Sequence, residues 1–203
     1  MKTLIGLVSI FLMTFSIAAA QFSGQLSTAE TVIKGSSIGS GFVSVYEDGF
    51  GVLGQYRLGF GGYSDFGFKA AIIDHDRPDQ TGFMIGADYK YQMMEVRIQD
   101  PIDMSIGGMA DLALFENFNT LSFGGFLVGS SPLSMSSGRK LTPYGRIILR
   151  IDRFDSDAGP SDSDFNIGLN AGADLELTTS THVLMELQLD EQTALYMGVS
   201  FGL

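Results

Sequence analysis

From residue 41 to the end of the chain, apolar side chains recur at every second position. That spacing gathers them on one face of an extended strand, whereas a helix would scatter them around its circumference. The clearest run is 165–177. Phe165, Ile167, Leu169, Ala171, Ala173, Leu175 and Leu177 fall on one face, with Asn166, Gly168, Asn170, Gly172, Asp174 and Glu176 on the other. The same alternation predicts strands over 50–60, 65–74, 81–91, 104–114, 121–127, 146–152, 183–189 and 195–203. A first strand near 37–47 brings the number to about ten, and eight to twelve would also suit a closed antiparallel barrel with both termini at one end. Turn chemistry separates the runs, at Asp48 and Gly49, at Gly61 to Ser64, around Pro78, at 178–181 and at 190–192.

Alternation alone fits a soluble sandwich or barrel as well as a membrane barrel. The predicted strands are about 10 to 13 residues long, nearer the 9 to 11 of a tilted membrane strand than the 5 to 6 common in soluble sheets. The polar face is also rich in glycine, at positions 51, 59, 67, 86, 107, 124, 168, 172 and 198. Glycine weakens a strand, so its repetition on one face points to a crowded concave interior that needs room for large side chains. The apolar face is therefore expected to meet lipid and the polar face to line a lumen.

The first residues read as a secretory signal peptide: Lys2, an apolar stretch over 4–17, and the small residues Ala18, Ala19 and Ala20. The apolar stretch is shorter than the roughly 20 residues a spanning helix needs, which makes an uncleaved anchor the weaker alternative. The chain then divides into a signal peptide (1–20), a flexible lead-in (21–36), with a short plug or seam pairing as alternatives, and one barrel domain (37–203). No later apolar run reaches membrane-helix length.

The final strand places Leu195, Met197, Val199, Phe201 and Leu203 at alternate positions up to the chain end. With the signal peptide and the alternating strands, this resembles the small bacterial outer-membrane β-barrel, or porin-like, families. Their usual final aromatic is replaced, since Leu203 is last and Phe201 third from the end. The resemblance implies a single closed antiparallel transmembrane β-barrel in the outer membrane, with lipid around it and a C-terminal strand read by the barrel insertion machinery. It implies no activity.

Charge and chemistry narrow the reading further. The net charge is −11, and loss of Lys2 with the signal peptide makes the exported chain one unit more negative, which disfavours nucleic acid or an anionic headgroup surface as the main partner. The absence of cysteine excludes disulfides, thiolate metal sites and a nucleophilic thiol. Charged groups on the polar face are Arg57, Lys69, Asp88, Lys90, Asp111, Arg146, Arg150, Asp174 and Glu186. In a narrow lumen such charges must pair, giving a network that plugs the barrel, with a small charge-selective pore as the alternative. Of the two histidines, His182 is read near Glu186 and His75 in a solvated loop; neither sits in a catalytic motif, so no enzyme, cofactor or metal is expected. Asp152, Asp155, Asp157, Asp162 and Asp164 read as a solvated acidic loop, with Ca²⁺ binding as the alternative. Tyr56, Tyr89, Tyr91, Phe50, Phe60, Phe83, Phe115 and Phe165 are read as an interfacial aromatic belt. The competing assignment is a secreted soluble β-barrel that turns its apolar face inward onto a ligand.

Overall fold

A computed structural model describes residues 25–76, 79–96, 101–156, 161–190 and 193–203; the signal-peptide assignment lies outside them. The strands are β1 (Ser37–Tyr46), β2 (Gly49–Gly59), β3 (Ser64–Asp76), β4 (Asp79–Met94), β5 (Asp103–Leu114), β6 (Phe118–Ser130), the two-residue β7 (Leu133–Ser134), β8 (Lys140–Ser156), β9 (Asp162–Thr178), β10 (Thr181–Leu189) and β11 (Ala194–Gly202). The two-residue β7 pairs only with β8, and each of the ten long strands is hydrogen-bonded to two long antiparallel neighbours. The ring closes through β6 with β8 and through β1 with β11, so the ten long strands form one barrel without a free edge. Both described ends of the chain reach the same rim, as an even strand count requires.

The pleat decides what points where. On β9, Phe165, Ile167 and Leu169 are half or more exposed, while Asn166, Gly168 and Asn170 between them are buried. The outward sets on the other strands repeat this, with Val52 on β2, Ile72 on β3, Phe83 on β4, Phe123 on β6 and Leu149 on β8 all exposed. The barrel is thus apolar outside and carries its ionised groups inside, the reverse of what a soluble apolar-ligand barrel needs. The interior is not wholly polar, however. Phe42, Leu53, Ile73, Met84, Met109, Phe126, Ile148, Leu184 and Tyr196 are buried there and pack into one cluster.

Two expectations need correction. Phe115 does not belong to an outward belt: it is buried, and its ring lies against Gly82, where an added Cβ would strike it. His75 is not a solvated loop group, because it lies in β3 and is buried between the rings of Tyr46 and Phe115. The remaining belt aromatics do face outward.

The glycines of the polar face separate cleanly from those of the apolar face. At 51, 59, 67, 86, 107, 124, 168, 172 and 198 a Cβ would come within 3 Å of another atom. At the outward Gly41 and Gly54 it would meet nothing, and at Gly108 and Gly125 only ordinary contacts. Inward glycines are therefore spacers for their neighbours' side chains.

Candidate functional site: the barrel lumen

Strand register arranges the lumen into rows in which glycine separates two interacting side chains. Arg57 on β2, Gly67 on β3 and Asp88 on β4 are successive cross-strand partners. Because Gly67 has no side chain, the Arg57 guanidinium reaches over it to donate to Asp88 Oδ1 at 2.8 Å, and it also pairs with Asp65. Lys69, Gly86 and Asp111 repeat the device one level further in, with Lys69 Nζ 3.3 Å from Asp111. Tyr144, Gly172 and Glu186 form a third row, where the Tyr144 hydroxyl donates to Glu186 at 2.5 Å.

Glu186 is fully buried and also accepts from Arg146 Nη1, Asn170 and Gln188. Arg150 pairs with Asp152 at 2.7 Å and with Asp190, and Asp152 accepts from Asn166. Lys90 Nζ is 3.6 Å from Asp65. Of the nine charges read from the sequence, eight thus lie buried in ion pairs with inward groups. Asp174 differs: it sits near the rim and takes His182 Nδ1 at 2.7 Å. His182 therefore pairs with Asp174 and not with Glu186, because the register sets it opposite Glu176. Sequence reasoning missed Asp65 and Asp190, although Asp65 shares the inward parity of Gly67 and Lys69, and Asp190, just past the end of β10, that of Glu186 and Gln188.

Residues 25–34, read from the sequence as a lead-in with a plug as one alternative, lie inside the mouth at the rim that carries the chain ends. Leu26, Ala29 and Val32 are buried, whereas Glu30, Ile33 and Lys34 are exposed. The wall grips the segment by its backbone. Lys90 Nζ donates to the carbonyls of Thr28 and Glu30 at 2.8 and 2.7 Å, and Arg146 Nη2 to that of Ser27 at 2.7 Å. Gln55 donates to the Gln25 carbonyl and Ser105 to that of Ala29. In return, the amides of Ala29, Thr31 and Val32 donate to Ser130, Gln92 and Asp65. A turn then leads into β1, with Ser36 N–H donating to the Ile33 carbonyl and Gly35 at a φ of +82° that only glycine adopts without strain. Gly59 lies so close to the Val32 and Ile33 carbonyls that a Cβ there would collide with them.

At the opposite mouth, among the described residues, side chains fill the lumen. Tyr196, Tyr46, His75, Phe115, Phe118 and Phe154 form a continuous chain of ring contacts, with centroids 4.6 to 6.1 Å apart. The Tyr46 and Tyr196 hydroxyls, 3.0 Å apart, satisfy one another. Just beyond, on the outward face of β8, Ile151 is the last apolar residue before Arg153 and Asp155. A hydrogen bond with Ser161, aided by Arg153, holds the Asp155 carboxyl below the usual carboxylate range. The acidic cluster is split, since Asp152 points into the lumen while Asp162 and Asp164 are exposed; Asp157 lies outside the described residues. Among the described residues no group of histidine and carboxylate side chains is placed to hold a metal.

At the seam, Met197, Phe201 and Leu203 face outward, Leu195 and Val199 are partly covered, and β11 pairs with β1. Beside the resident segment the mouth keeps a cavity of about 990 Å³, walled by Ser40, Glu176, His182 and Ser200 among others.

Neither a protein-family model nor a curated protein matches the chain. Among solved structures it is similar to the β domain of the Bordetella autotransporter BrkA, at 10% identity and TM-score 0.48, with 82% of this chain and 97% of that one covered. It is also similar to the KdgM porin in complex with disordered oligogalacturonate, at 11% identity and TM-score 0.43, covering 81% and 98%. A third is the N-terminal β-barrel domain of Pseudomonas aeruginosa OprF, at 10% identity and TM-score 0.39, covering 84% and 98%.

Proposed function

We propose that this chain is a non-enzymatic bacterial outer-membrane barrel with a charge-paired lumen, which contributes to envelope structure and passes small solutes to a limited extent at most. The inside-out distribution of side chains carries the reading: apolar groups cover the outward faces of the long strands, and ionised groups lie buried within. In water that arrangement would expose a continuous hydrophobic belt, whereas in a bilayer the belt meets lipid; the buried charges are offset in either setting by their ion pairs. Closure of the sheet supplies the second requirement, because backbone groups facing lipid must be hydrogen-bonded within the protein. The interior charges are engaged with one another and with the resident segment, which supports a structural role over catalysis. In this reading the partners are outer-membrane lipid and, through Leu195, Met197, Val199, Phe201 and Leu203, the insertion machinery.

Cell fractionation tests the assignment. The protein should be recovered from membranes only with detergent and should migrate differently on gels before and after boiling; recovery from the soluble periplasm would sink it. Leu169→Arg places a charge on the outward face and should cost roughly 2 to 4 kcal/mol of stability in vesicles if that position lies near the bilayer midplane.

A further inference from the structure

We propose that the cavity beside residues 25–34 is a binding site for a short uncharged saccharide, with the segment staying in place as one of its walls. The strand registers supply the first reason. Glu176, His182, Ser200, Ser40 and Gln55 are successive cross-strand partners on β9, β10, β11, β1 and β2, and every one of them lines the cavity. Antiparallel partners share a face of the sheet, so the five form one inward shelf that follows the curve of the wall for about 19 Å, four strand spacings. The register of β9 with β10 slips between Thr181 and His182, a bulge that passes over Leu177 and sets His182 opposite Glu176. Leu26 of the segment and Leu184 of β10, both buried, add apolar surface to the same cavity, against which the C–H face of a sugar ring can pack.

The shelf carries hydrogen-bonding capacity that the protein leaves unused. Gln55 is buried and donates its amide N–H to the Gln25 carbonyl, but its Oε1 has no partner among the described residues. His182 donates Nδ1–H to Asp174 at 2.7 Å, which leaves Nε2 of the neutral ring as an acceptor. The Ser40 and Ser200 hydroxyls lie 2.9 Å apart; one donates to the other, so one O–H remains to give away. Glu176, partly buried, adds a carboxylate. Acceptors and a hydroxyl donor set side by side at strand spacing suit a solute whose own hydroxyls both donate and accept. Charge argues the same way. Arg57 and Lys90 are matched by Asp65 and Asp88, and the other cations of the lining, Lys34 and Lys140, stand against Glu30 and Glu176. A lining of mixed sign offers no single-sign field to a polyanion or a polyamine. The site gives the limited solute passage proposed above a class of solute; that purpose rests on the membrane reading, and the binding does not.

The test uses the full chain with its histidines labelled with nitrogen-15, held in a phosphocholine detergent because sugar-headed detergents would compete. His75 and His182 are the two histidines of the chain, so their imidazole signals report on opposite mouths. Titration with maltotriose and chitotriose should shift the His182 signals saturably, with a Kd of about 1 mM or tighter for at least one of them, and leave those of His75 in place. Trigalacturonate and spermidine, an anion and a cation, should bind at least tenfold more weakly. Gln55→Leu removes the unpartnered acceptor and should weaken the better trisaccharide at least fivefold. Since Gln55 also ties the segment, Ser200→Ala is the gentler probe: it disturbs the Ser40 hydroxyl and no other described side chain, and should weaken binding at least threefold. Absence of a saturable His182 shift with either sugar, matching shifts of both histidines, binding of trigalacturonate or spermidine as tight as that of the sugars, or unchanged affinity in Ser200→Ala would each overturn the proposal. Vesicle flotation of the same preparation reports on membrane insertion separately, so either idea can fail alone.

Discussion

Among the described residues, the two mouths of this barrel are filled by different means. At one, a ten-residue segment is folded into the lumen and its main chain is held by side chains from β2, β3, β4, β5, β6 and β8. At the other, rings from the strands and from the β5–β6 turn touch in succession from Tyr196 across to Phe154. The first closure consists of hydrogen bonds, each worth about 1 kcal/mol net, and of three modest apolar contacts. The second is mainly packing of rings, and both closures run into one interior core, which Leu26 and Ala29 of the segment join as Phe115 and Tyr196 do. The contrast is in how each mouth is tied: one segment is held largely through its main chain, whereas a ring such as Phe115 is wedged into a glycine gap.

Phe115→Ala should break the rigid mouth most severely. Deleting a buried ring leaves a cavity, and a loss of roughly 3 to 5 kcal/mol is expected in urea titrations of the vesicle-inserted protein. Gly82→Ala attacks the same place from the other side by pushing a Cβ into the Phe115 ring, and should cost about 1 to 3 kcal/mol. If both left stability unchanged, the aromatic layer would not be the structural end. Ser130→Ala removes one of the plug's amide acceptors. It should cost about 1 kcal/mol locally and speed hydrogen exchange at the Ala29 amide about fivefold, while the exchange of barrel strands stays as it was. A matching acceleration in the strands would show that plug and barrel open as one unit. The smallest effect is expected at Gly54→Ala, whose outward Cβ meets nothing; it should stabilise by roughly 0.5 to 1 kcal/mol and so calibrate Gly82→Ala against a glycine that spaces nothing.

The strands, their inward and outward faces and the spacing role of glycine were legible in the sequence because each depends on the two-residue repeat of an extended chain, which is local. Lys69 and Gly86 could be assigned to the polar face in the same way. That Gly86 lies between Lys69 and Asp111 could not, since it depends on the registers of β3 with β4 and of β4 with β5. His182 shows the same limit: its face was readable, its partner was not. Phe115 was misassigned against the alternation itself, since it shares the inward parity of Asp111 and Ala113 and not that of the outward Leu114. Residues 25–34 carry no period of two, and their fold is written in the side chains of six distant strands. The sequence by itself determined an alternating, glycine-spaced chain with one apolar and one charged face. Only the tertiary structure decided which charges meet and what fills each mouth, because a closed barrel brings together residues whose separation along the chain says nothing of their neighbourhood around the ring.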